Sequence, residues 1–154
     1  MKYQLDIEIN KPREQVVELF GNPENLAFWQ PGFVSIEHVS GEAGKAGSVS
    51  RLTYMHGKAN KIMVMEEVVN VSNLPDEYSG TYRANMMNMT VGYRFEEISP
   101  DKTRLITDNE AEVKGIVMKL MTKLMPGCFK KQSFLYMANF KAFAETGADC
   151  RKSA

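Results

Sequence analysis

Two stretches decide the fold: Met87-Asn88-Met89-Thr90-Val91-Gly92-Tyr93-Arg94-Phe95-Glu96, and Arg104-Leu105-Ile106-Thr107-Asp108-Asn109-Glu110-Ala111-Glu112-Val113. Along the first, Met87, Met89, Val91, Tyr93 and Phe95 share one face; along the second, Leu105, Thr107, Asn109, Ala111 and Val113 do. A period of two is that of a strand with one buried face. The short Ser99-Pro100-Asp101-Lys102 turn between them makes the pair antiparallel, since a parallel pair needs a crossover of about a dozen residues or more. Asp108, Glu110 and Glu112 lie on the other face, which reads as acidic and wet. From Gly115 the period becomes helical and runs to about Thr146, with Val117, Leu120, Leu124, Phe129, Tyr136, Phe140 and Phe143 spaced in threes, fours and sevens. Pro126-Gly127 interrupts it, and an interior proline costs roughly 3 kcal/mol, so the helix is kinked or split there.

Working back towards the start, further strands are predicted over 77–85, 60–71, 48–56 and 33–40, beside those over 87–98 and 103–113. Their connections, among them Gly41 to Gly47, His56-Gly57-Lys58 and Asn73-Leu74-Pro75-Asp76, carry turn chemistry. Residues 3–9 alternate Tyr3, Leu5, Ile7 and Ile9 against Gln4, Asp6 and Glu8, which gives the first strand. Two short helices then interrupt the sheet. The first takes Asn10 as N-cap, Pro12 in its first turn and Val16, Leu19 and Phe20 on one side; the second takes Asn22 as cap and Pro23 at its first position, ending at Pro31-Gly32. A sheet of about seven antiparallel strands needs one face covered, and only the C-terminal helix is long enough to do so. The class is α+β.

A chain of 154 residues with 44% hydrophobic and 25% charged residues fits one domain over 1–148, followed by a flexible tail over 149–154. Lysine plus arginine equals aspartate plus glutamate at 19 each, so no basic field exists to hold nucleic acid. Charges in the opening residues exclude a signal peptide, which points to the cytoplasm. The methionine-rich stretch from Gly115 to Met125 is broken by Lys119 and Lys123, which argues against stable membrane insertion. Lys119, Lys123, Lys130 and Lys131 read as a solvated face. Cys128 and Cys150, without a CxxC pair, are expected to be buried, reduced thiols. His38 and His56 lack metal-ligand spacing, so no metal and no cofactor is expected. The loop from Gly41 to Gly47 lacks phosphate-binding spacing and reads as a hairpin connection.

Four stretches carry a family likeness: Ile9-Asn10-Lys11-Pro12-Arg13-Glu14-Gln15-Val16 through Phe20, Asn22 to Gly32 around Phe28-Trp29-Gln30-Pro31, Gly47 to Tyr54, and Lys102-Thr103-Arg104-Leu105. In this order, across nearly the whole chain, they resemble the START-like, or SRPBCC, superfamily, which includes START lipid-transfer domains, plant pollen-allergen proteins and bacterial polyketide cyclase-like proteins. The resemblance implies a helix-grip fold, a curved sheet around the long helix with an apolar cavity open at one end. It implies a small-molecule container, and for Trp29 an anchoring role between the second helix and the sheet.

Candidate wall residues follow from parity. Thr107 and Asn109 stand on the inward face where an apolar filler is expected, Tyr54 and His56 share a face with Leu52, and Tyr82 points inward on its strand. Either these groups pair with one another or with water, or a ligand's carbonyl or hydroxyl satisfies them. Met87 and Met89 offer adaptable apolar surface, with Met118, Met121 and Met125 opposite on the covering helix. His56 is the one candidate acid or base with a pKa near neutrality, and Glu66 or Glu67 would have to orient it. The leading function is a binding protein, monomer or homodimer, that encloses a small apolar or aromatic molecule. A polyketide cyclase or dehydratase-like enzyme using the same cavity is the alternative, and a domain whose cavity is filled and that acts through its surface is the third. The polar Thr107 and Asn109 tilt the ligand away from long-chain lipids, towards a smaller oxygenated or aromatic molecule.

Overall fold

The computed structural model describes residues 1–152. Strand β1 (Lys2–Ile9) leads to helix α1 (Arg13–Gly21), a 3₁₀ turn (Pro23–Asn25) and the single-turn helix α2 (Leu26–Trp29). The meander follows as β2 (Phe33–Ser40), β3 (Val49–His56), β4 (Lys61–Asn73), β5 (Glu77–Arg83), β6 (Met87–Ser99) and β7 (Lys102–Val113). Helices α3 (Ile116–Leu124) and α4 (Cys128–Thr146) and a 3₁₀ turn (Cys150–Lys152) complete the described chain. All seven strands form one antiparallel sheet in the order β1-β7-β6-β5-β4-β3-β2. The turn chemistry of the sequence thus yields hairpin neighbours throughout, with β1 returning beside β7.

The core lies between the sheet and α4, where Ile9, Leu105 and Phe95 from the strands meet Val16, Trp29, Met137, Phe140 and Ala144. Phe20, at the end of α1, is its hub: its ring lies 4.7 Å from that of Tyr93, 5.1 Å from Phe95, and about 6 Å from Trp29, Tyr78 and Phe140. Thr103, fully buried, donates its hydroxyl to the Lys11 carbonyl at 2.8 Å and so ties the entry of α1 to β7. Gly32, just after α2, has φ +79°, and its carbonyl accepts from the Met55 N–H at 2.7 Å. A Cβ there would collide with the Met55 carbonyl oxygen, so this position needs glycine for conformation and for space.

Several expectations are corrected. Asn10 does not cap α1: Pro12 takes the cap position with no side-chain bond, while the Asn10 N–H donates to Glu145 Oε2 at 2.7 Å. Arg13 secures the helix start instead, with its guanidinium donating to the carbonyls of Phe95 and Pro75. Asn22 does cap the next turn, accepting from the Glu24 N–H with Pro23 behind it. The C-terminal helix is split at Pro126-Gly127, and α4 alone, 19 residues long, covers the sheet. Val117, Leu120 and Leu124, assigned by period to the covered face, are exposed on α3. Cys128 is exposed at the start of α4, and Cys150 is half-buried with its thiol facing the Ala27 carbonyl at 3.6 Å, so neither thiol is buried as expected. Around Cys150 the chain makes a 3₁₀ turn with the Arg151 guanidinium over the Phe28 ring; residues 153 and 154, the end of the expected tail over 149–154, lie outside the described residues. On the outer face the acidic residues are threaded by bases across the strands: Arg104 with Asp6 and Glu8, Arg94 with Asp108, Lys2 with Glu110.

A candidate ligand cavity

The inward parity of the strands leaves space between sheet and helices, divided into two lobes. One, of about 330 Å³, lies towards the β3–β4 and β5–β6 turns; the other, of about 370 Å³, lies towards the β2–β3 loop. Phe20, Trp29, Gln30, Tyr82 and Tyr93 border both and form the partition between them. The interior is therefore not filled by its own side chains.

Tyr54, His56, Tyr82, Met87, Met89, Thr107 and Asn109 all line the first lobe. Thr107 and Asn109 are buried and partner each other: Asn109 Nδ2 donates to Thr107 Oγ1 at 2.9 Å, and the Thr107 hydroxyl faces the Met137 sulfur at 3.5 Å. The Tyr54 hydroxyl donates to Gln30 Oε1 at 2.7 Å, and burial pushes this phenol well above its ordinary pKa. His56 stacks on the Tyr54 ring at 6.1 Å. Neither glutamate orients it. Glu66 points to the outer face, where it pairs with Arg83, and Glu67 lines the other lobe. The methionines facing Met87 and Met89 are Met63 and Met65 on β4 and Met137 on α4, rather than Met118, Met121 and Met125.

Glu67 is the functional group that sequence parity left undecided. The register sets it directly opposite Tyr82, in an inward row that runs Ser50, Glu67, Tyr82, Met89, Ala111 across β3 to β7. Burial raises its carboxyl pKa, and a hydrogen bond with Tyr82 partly offsets that. Tyr78, Tyr82 and Tyr93 surround it, all pushed up first by burial and further by the glutamate charge. The second lobe also carries Ser48, Ser50 and Ser72, so its lining is more polar than the methionine-rich first lobe. One buried donor in the shared wall, the Trp29 indole N–H, has no hydrogen-bond partner among the described residues. Its desolvation is uncompensated among the described residues. Among the described residues no group of three histidine, cysteine or acidic side chains is gathered in metal-binding geometry, and no helix is long and apolar enough to cross a membrane.

A sequence model of the carbon monoxide dehydrogenase CoxG subunit family matches residues 6–142. The chain belongs to the CoxG family. No curated protein matches the sequence. Solved structures share the fold of this chain. It is similar to the Zhui aromatase/cyclase from a Streptomyces species (12% identity, TM-score 0.76, covering 94% of this chain and 93% of that one). It is also similar to a conserved protein from Geobacillus kaustophilus (18%, 0.75, 94% and 95%) and to a START superfamily protein from Mycobacterium smegmatis (16%, 0.67, 88% and 93%). At these identities the likeness is one of fold, and the helix-grip architecture expected from the sequence is the one found.

Proposed function

We propose that this CoxG-family chain is one binding domain that encloses a small, mostly apolar, oxygenated or aromatic molecule between the sheet and α4. The observation that carries the reading is the open first lobe, about 330 Å³, walled by Met87, Met89, Tyr54, His56, Tyr82, Thr107 and Asn109. That volume falls in the range of ligand pockets, roughly 300–1,000 Å³, and mostly apolar walls with a few convergent polar atoms are their usual make-up. Enclosing roughly 300 Å² of apolar ligand surface supplies on the order of 7 kcal/mol at about 25 cal/mol/Å², which corresponds to micromolar affinity or weaker after the cost of immobilisation.

Native mass spectrometry of the protein from its own host, before and after denaturation, tests this. A discrete mass released on unfolding supports enclosure and gives the ligand's composition. No released mass, together with no thermal shift from a panel of aromatic ketones and quinones, overturns it.

A second reading, a cyclase-like enzyme in the same cavity, draws on Glu67. A carboxyl whose pKa is raised by burial and which hydrogen-bonds a phenol holds its proton more readily than an exposed carboxyl, as a general acid needs. Glu67→Gln and His56→Ala variants that retain the bound mass but lose turnover of it would favour this reading; unchanged turnover in both removes it.

A further inference from the structure

The second lobe holds a carboxyl to which the chain brings no counter-charge. Glu67 borders this lobe and not the first, opposite Ser50 on β3 and Tyr82 on β5. Among the described residues no lysine, arginine or histidine pairs with it, and no lysine or arginine borders the lobe. Burial accordingly raises its pKa, the usual result of desolvating a carboxyl without a basic partner. The walls around it are aromatic: Phe20, Trp29, Tyr78, Tyr82 and Tyr93 all border the lobe. Tyr78 meets Phe20 edge-on, at 76°, and Tyr93 at 46°, so neither of those rings lies flat over its face. Burial and the glutamate charge push the three phenols up and keep them neutral, which leaves Glu67 as the one acidic side chain on the lobe among the described residues. Towards the β2–β3 loop the lobe reaches the surface at His38, Ala43, Gly44 and Ser72, all exposed.

We propose that the second lobe binds a small organic ammonium ion, with Glu67 as its counter-ion and the rings of Tyr78, Tyr82 and Tyr93 about its positive charge. Both parts of the wall favour the same sign: the carboxylate directly, the rings through the negative potential of their faces. An amine that enters neutral takes the Glu67 proton, and one that enters charged displaces that proton to water. Each route ends in an ammonium–carboxylate pair. A buried pair of this kind holds only when the remaining N–H groups also find acceptors. Ser50, opposite Glu67, and Ser72 bring hydroxyls to the same lobe, and Ser72, whose proton goes to the Gly44 carbonyl at 2.6 Å, keeps its lone pairs for accepting. A neutral ligand of equal size gains none of the charge attraction, and an anion is repelled. The inference goes beyond the container reading, which concerns the first lobe, and does not depend on it. A released mass tests that reading, whereas a charged probe tests this one.

Isothermal titration of the full chain at neutral pH tests it with three probes of similar size and different charge: benzylamine, benzyl alcohol and benzoate. Benzylamine is expected to bind at least about ten-fold more tightly than benzyl alcohol, and benzoate not to bind. Glu67→Gln keeps the side-chain volume and removes the charge. It is expected to lower benzylamine affinity at least about ten-fold and to leave that for benzyl alcohol unchanged. Tyr78→Leu is expected to lower benzylamine affinity about three-fold, and Tyr78→Phe, which keeps the ring, to restore it. Melting curves verify that each variant is folded, and the near-isosteric Glu67→Gln carries the test even if Tyr78→Leu does not fold. No binding of benzylamine, equal affinity for benzylamine and benzyl alcohol, or benzylamine binding that Glu67→Gln leaves unchanged would each overturn the proposal.

Discussion

Glu67 shows how much a single side chain depends on its strand partner. Its neighbour Glu66 faces solvent and Arg83, while Glu67 faces Tyr82 inside the sheet. Two adjacent glutamates break the alternation of β4, so the sequence offers no way to tell which turns inward; the β4–β5 register decides it. Folding raises the Glu67 pKa above its ordinary value of 4.5, so the folded state favours the protonated form. The resulting contribution to stability is complete below that ordinary value and is lost as pH rises through the raised pKa. Glu67→Gln, which stays neutral, is therefore expected to gain thermal stability relative to the parent as pH rises above the ordinary value of 4.5 and through the raised one. Melting curves at a series of pH values upward from that ordinary value check it, and parallel profiles would refute the assignment. Gly32 is the converse case, a residue whose role no pattern announces. Gly32→Ala places a side chain at φ +79° against the Met55 carbonyl and is expected to cost about 1–3 kcal/mol or more in urea denaturation.

Elements were legible where their signals were periodic. Strand limits inferred from alternation agree with β2 to β7 within about two residues. Thr107 and Asn109 fell on the inward face because β7 alternates without a bulge over that stretch. Caps were less legible: Asn22 acts as read, whereas Asn10 is engaged by Glu145, a partner 135 residues away that local sequence does not contain. Asn22→Ala is expected to cost about 1 kcal/mol, the usual loss of one N-cap, whereas Asn10→Ala should cost far less because only its backbone N–H is used. Chemical denaturation of the two variants side by side distinguishes them. Pro126-Gly127 marks the break in the helical period from Gly115 onwards, but the same apolar spacing on both sides of it conceals that the two halves have separate fates. Only α4 meets the sheet; the apolar residues of α3 keep the right spacing for a core they do not join.

For the molecule as a whole, the order of elements was sufficient for the helix-grip architecture, because hairpin-length connections and one long helix leave few other ways to cover an antiparallel sheet. The seven residues chosen as cavity walls do border a single lobe. The second lobe was not foreseen, since its boundary depends on Phe20, Trp29 and Gln30 meeting Tyr82 and Tyr93 from across the fold. Phe20→Ala removes the ring at the centre of that meeting. It is expected to destabilise the chain by about 3 kcal/mol and to join the two lobes, so that it takes up ligands too large for the parent. Denaturation midpoints and displacement of a fluorescent apolar probe measure the two effects separately.

The aromatic partition has a consequence for selectivity. A molecule held within the first lobe would leave Phe20, Tyr82 and Tyr93 undisturbed, whereas one that reached on into the second lobe would have to move a ring packed against its neighbours. If the first lobe takes a ligand as proposed, the part of it that points inward is expected to be sorted by bulk where those three rings stand, while the part at the open mouth is left free to vary.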